Sequence, residues 1–178
     1  MNTFYTTTEN RRWMLVDDSE QILCLMANLA GRMTSAVIEC YNSGYDVVGG
    51  AYPKKQDVEE FPIHLLPNQS GRYREAMYLP GGFMFIRRHV FEKMQPTVQK
   101  YTEPGFGNET VDCYFQNMVY DGYGRVGEDV EFCNRWRRLG GKVWCLPDIY
   151  FEHQGPKAWK GKLSDSLPPL YEVKEQAA

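Results

Sequence analysis

A chain of 178 residues, 43% hydrophobic and 14% aromatic, can bury one core, so a single main domain is expected. Its formal charge of -3 comes from acids and bases interspersed along the sequence, which leaves no basic face for a phosphate backbone and excludes nucleic acid as an expected partner. No stretch approaches the roughly 18 consecutive apolar residues of a membrane span, and MNTFYTTTENRRW at the start has neither an apolar leader core nor a cleavage site, so a soluble, cytoplasmic chain is expected.

Trp13 to Val16 is a short apolar run ending in Asp17, Asp18, Ser19 and Glu20, the pattern of a buried strand with acids at its carboxyl end. From Gln21 to Met33, Ile22, Leu25, Met26, Leu29 and Met33 recur at helical spacing, and Val37, Ile38 and Tyr41 extend the stripe, which predicts a helix with Ser19 as its cap and Gly44 as its stop. Asp46 to Tyr52 is β-branched and then small, as in a central strand. Between Lys54 and Arg74 there is no steady period, and Pro62, Pro67, Asn68 and Gly71 predict a long loop.

Phe83 to Ile86 reads as another buried strand after Pro80-Gly81-Gly82, with a short helix from His89 to Met94. A second loop, rich in Gly, Tyr and Phe, runs from Thr102 to Gly127 with a strand around Cys113 to Met118. A helix Asp129 to Leu139, a strand Lys142 to Leu146 and a last strand Ile149 to His153 follow. Alternating strands and helices imply an α/β fold with a mostly parallel sheet and flanking helices. The periodic pattern is lost in the last residues, so a domain over 1–163 is expected, with 164–178 an irregular tail draped on the surface or mobile. The five cysteines are odd in number and form no CxxC pair, as for reduced thiols.

Three polar clusters follow strands or open a helix: Asp17-Asp18-Ser19-Glu20, Glu128-Asp129 and His153. In an open α/β sheet ligands bind at the carboxyl ends of the parallel strands, where these clusters could meet. Carboxylates with one imidazole suit Mn²⁺ or Mg²⁺. Each cluster also has a plainer reading. Acids in a first helical turn complement the macrodipole, those after Val16 can cap a helix, and a lone histidine is more often structural than a ligand.

The segments WMLVDDSE, YDVVGGAYPKK, YLPGGFMFIRRHVFEKM, VGEDVEFCNRWRRLGGKVW and PDIYFEHQG, spanning about Arg12 to Gly155, together resemble the GT-A glycosyltransferases. The resemblance implies a Rossmann-like fold and a metal-dependent, hexosyltransferase-like enzyme that moves a sugar from a nucleotide-diphosphate donor to a glycan or other hydroxyl acceptor. It casts Asp18 and Glu20 as metal ligands, with Asp17-Asp18-Ser19 as the other register, and His153 as the remaining ligand. Gly81 and Gly82 would let backbone approach the donor sugar, and Arg72 and Arg74 would face the anionic donor from a mobile loop. Asp129 would be the general base of an inverting reaction, and Glu128 would orient the acceptor.

Two departures accompany the resemblance. Glu20 stands where the family's motif ends in Asp. Sixteen residues precede Asp17, where two βα units of about 30 residues each would hold the nucleotide. A donor site shortened at the amino terminus, or completed by a neighbouring chain or oligomer, is implied. The alternatives are a non-catalytic GT-A remnant that binds glycan or protein, and a nucleotide-sugar hydrolase.

Overall fold

The computed structural model describes residues 7–8, 11–16, 22–27, 34–103, 108–154 and 156–168. In chain order its elements are β1 (Thr7–Thr8), β2 (Arg11–Val16), β3 (Ile22–Ala27), α1 (Thr34–Asn42), β4 (Val47–Gly49), β5 (His64–Leu65), β6 (Arg74–Tyr78), β7 (Phe83–Arg87) and α2 (Arg88–Met94). Then come β8 (Gln99–Glu103), β9 (Glu109–Cys113), β10 (Met118–Tyr120), β11 (Gly124–Val126), α3 (Glu128–Arg138), β12 (Val143–Cys145), β13 (Phe151–Gln154) and β14 (Ala158–Gly161). Eight strands form one sheet in the order β1-β2-β3-β7-β4-β12-β6-β5, and β8·β9, β10·β11 and β13·β14 are separate two-stranded ribbons.

The main sheet is mixed rather than mostly parallel. Among the described residues only β4 and β12 pair in parallel; β7 runs antiparallel between β3 and β4, and β6 antiparallel beside β12. Chain length explains part of this, since the five residues between Val16 and Ile22 are too few for a parallel crossover, and β2 and β3 pair antiparallel. The helix expected over Gln21 to Met33 is replaced over Ile22–Ala27 by β3, which lies between β2 and β7. A continuous apolar run carries no period that distinguishes helix from interior strand. The helical part of that stripe lies further on, in α1.

The core is built on β7. Successive side chains of a strand point to opposite faces, so Met84 and Ile86 join Val47, Phe132 and Trp136 on one side of the sheet, while Phe83 and Phe85 join Val48, Cys40 and Phe151 on the other. α2 and α3 cover the first face and α1 lies on the second. All four of these β7 residues are fully buried, which is why the strand reads as an unbroken apolar run.

Helix α3 carries Glu128, Asp129 and Glu131 in its first turn and Arg135, Arg137 and Arg138 in its last, the arrangement that the helix dipole favours at each end. It stops at Gly140, whose φ of 83° is the left-handed conformation of a helix end. Phe132 stacks on Phe115 with ring centroids 4.5 Å apart.

At the far side of the sheet, Glu75 of β6 receives Arg137 and Lys142, each at 3.1 Å. Burial pushes the Glu75 carboxyl up, but hydrogen bonds from Lys142 and Arg137, with their charges, outweigh it and hold its pKa below 4.5. A depressed folded-state pKa contributes stability that is present above the unfolded value and lost as pH falls through the folded one. Glu75→Gln is therefore expected to flatten the loss of stability on acidification below about pH 4.5. Urea midpoints of parent and variant measured between pH 3 and 6 check this; parallel curves would remove Glu75 from the acid response.

Candidate functional site

The carboxyl ends of β4 and β12 lie level with the start of β7, since Gly49 pairs with both Cys145 and Met84. The segment Gly50 to Pro53 leaves β4 here, and Pro80-Gly81-Gly82 enters β7 here. Asp129, half-buried in the first turn of α3, meets this turn: its Oδ2 accepts the Gly81 amide N–H at 2.9 Å and its Oδ1 accepts the Val130 N–H at 2.8 Å. An ionised carboxylate has about four acceptor positions, so lone pairs on both oxygens remain for a further donor.

Aromatic rings continue the surface. Tyr52 packs so tightly on Gly82 that a Cβ there would lie 2.0 Å from the Tyr52 Cε1. The Tyr52 ring meets His153 edge to face at 4.8 Å between centroids. His153 Nδ1 lies 2.9 Å from the Pro53 carbonyl oxygen. A carbonyl only accepts, so Nδ1 is the donor, and in the neutral ring Nε2 is left as the acceptor.

Two of the three polar clusters thus meet on one rim through Gly81, Gly82 and Tyr52. His153 lies on the last expected strand, but that strand stands outside the main sheet: among the described residues β13 pairs with β14 alone, His153 opposite Trp159. The two glycines also act differently from the expectation. Space left by their missing Cβ atoms is taken by Tyr52 and by Asp129, whose Cβ would stand 3.3 Å from one on Gly81. They thereby seat two side chains of the rim.

Asp17, Asp18, Ser19 and Glu20 lie outside the described residues. The strand before them ends at Val16, which pairs with Ile22, itself opposite Arg87 at the far end of β7. Arg87 is five positions beyond Gly82, so that end lies about 16 Å along the strands from the Gly82 rim, at roughly 3.3 Å per residue. Among the described residues no three His, Cys, Asp or Glu side chains are grouped to hold an ion. Of the three ligands that the resemblance implies, His153 alone is among the described residues.

Arg72 and Arg74 are engaged elsewhere. Arg72 Nε pairs with Glu39 of α1 at 2.5 Å, and the buried Arg74 donates to the Gln69 carbonyl at 3.0 Å. Gln69 in turn staples the loop, its Nε2 donating to the Leu66 and Glu75 carbonyls. Glu128, half-buried, opens α3 beside Asp129. Cys133 and Cys145 are ill suited to nucleophilic work: burial pushes the Cys133 thiol up to about 12 and raises that of Cys145 as well.

Sequence reasoning missed Tyr52, which joins His153 to the glycine turn. Its one signal was position, an aromatic directly after the small residues that end β4. Among the described residues, no helix is long and apolar enough to cross a membrane. No family model and no curated protein matches the chain. A solved structure, A197 from STIV, is similar over 84% of this chain and 66% of that one, with 18% identity and a TM-score of 0.41.

Proposed function

We propose that the chain is a glycosyltransferase that moves a sugar from a nucleotide-diphosphate donor to a hydroxyl acceptor, with Asp129 as general base. The observation that supports this reading is the meeting of Asp129 with the Gly81 turn on a rim walled by Tyr52 and His153. A reachable carboxylate beside aromatic faces is what a sugar hydroxyl requires: a ring to stack on and an acceptor for its proton. Asp129 takes the proton as the acceptor oxygen bonds to the anomeric carbon, and the bond from that carbon to the diphosphate oxygen breaks, its electron pair leaving with the nucleotide. Glu128 orients the acceptor.

A second reading is a non-catalytic glycan-binding module. It is favoured by the two backbone N–H groups that Asp129 already accepts, which would make it a clamp between α3 and the glycine turn.

Thermal shift against a panel of nucleotide-diphosphate sugars, with and without Mn²⁺, tests the proposal. A donor at about one hundred times its Kd stabilises by about 2.7 kcal/mol, a rise of roughly 5–10 °C for a chain of this size. A melting temperature unmoved by every donor, with and without Mn²⁺, together with a shift by a free glycan, would favour the binding module.

A further inference from the structure

The other side of α3 borders a cleft. It measures about 290 Å³ and lies between α3, β10 and the start of β8, and Gln99, Gln116, Tyr120, Glu131, Arg135 and Arg138 supply its polar lining. Residues two apart on a helix project in nearly opposite directions, so Glu131 faces this cleft while Asp129 faces the glycine turn.

At its base the Glu131 carboxylate, 1% exposed, takes the Tyr120 hydroxyl on Oε2 at 2.8 Å and Arg138 on Oε1 at 2.6 Å. Arg135, also buried, stands 3.6 Å from the same Oε1 and donates to the Cys113 carbonyl at 3.4 Å. One carboxylate thus faces two guanidinium groups, and the cleft keeps one positive charge. Each guanidinium has five N–H donors, more than these bonds use.

A further polar group is unmet. Gln116 Nε2 donates to Gln99 Oε1 at 3.1 Å, while Gln116 Oε1 is buried and has no hydrogen-bond partner. A buried acceptor in this state is costly until a donor reaches it. The cleft therefore offers one positive charge, an orphan acceptor and room at the lower end of the range for small-molecule pockets.

We propose that this cleft binds a small hydroxylated carboxylate, a sugar acid of hexuronate size, with its carboxylate on Arg138 and Arg135 and a hydroxyl donating to Gln116. Arginine pairs with a carboxylate through two parallel N–H bonds, and a single negative charge matches the single excess positive one. A phosphate, with a charge of about -1.5 to -2 near pH 7, would overshoot it. The proposal stands apart from the reading of Asp129, because it uses none of that rim.

The test is a titration of the ¹⁵N-labelled full chain with D-glucuronate, D-glucose and inorganic phosphate at matched ionic strength, read by amide shifts. Glucuronate is expected to move Tyr120, Glu131 and Arg138 with saturation near about 1 mM, and glucose to bind at least about tenfold more weakly. Arg138→Met, which leaves Glu131 with Arg135 and Tyr120, should weaken glucuronate by about tenfold or more with the amide spectrum otherwise retained. Gln116→Leu should weaken it too, as a second variant that leaves the ion pairs intact. The proposal fails if glucuronate gives no saturable shift at these residues, if glucose or phosphate binds as well, or if both variants bind like the parent.

Discussion

Asp129→Asn is expected to lower single-turnover sugar transfer by roughly a hundredfold to ten-thousandfold, the contribution of a positioned general base. An amide can still accept one of the two backbone N–H groups that Asp129 holds, from Gly81 and Val130, but its NH₂ cannot accept the other. A stability loss of about 0.5–1.5 kcal/mol accompanies that lost bond. Donor binding should be nearly unchanged, because the acceptor's proton moves only in the transition state. Glu128→Gln should instead raise KM for the acceptor more than it lowers kcat, since an orienting group acts in ground and transition states alike. If Asp129 were only the clamp between α3 and the glycine turn, the asparagine variant would lose the same stability and transfer sugar at the parent rate. Melting temperature and single-turnover rate on one preparation separate the two.

The elements legible in the sequence were those whose burial leaves a one-dimensional trace. Strand β7 packs on both faces and so shows an unbroken apolar run; α3 announces itself through its acidic first turn, its basic last turn and Gly140. Strand β6 left no such trace. Its inward positions are Arg74 and Ala76, and its Glu75 is satisfied by Arg137 and Lys142, so Arg-Glu-Ala-Met-Tyr does not read as a strand. Strand β3 failed in the opposite way, being apolar enough to satisfy a helical stripe as well.

Of the candidate site, the sequence marked Asp129, Gly81, Gly82 and His153 but could not place them. Their meeting depends on Tyr52, and the Tyr52–His153 contact joins residues about one hundred positions apart through a ribbon outside the main sheet. The cleft on the other face of α3 was illegible for a related reason. Glu131, Arg135 and Arg138 look like an ordinary solvated helix face until the β10 ribbon brings Tyr120 over them.

Glu131→Ala is expected to destabilise the protein by about 3–5 kcal/mol, because removing one partner of a buried pair leaves the other charge without compensation. Arg135 is the residue left exposed to that cost: it is only 7% exposed, and its remaining bond is to the Cys113 carbonyl at 3.4 Å. Arg138 suffers less, since its side chain is 55% exposed and water can take over the lost bond. The double variant Glu131→Leu with Arg135→Met removes both buried charges and fills their volume, so it should recover most of the loss. In a chain of this size the single change lowers the melting temperature by on the order of 10 °C, and the double variant should melt within a few degrees of the parent. Equal losses in the single and double variants would mean that packing around Tyr120, and not the uncompensated Arg135 charge, sets the stability of this face of α3.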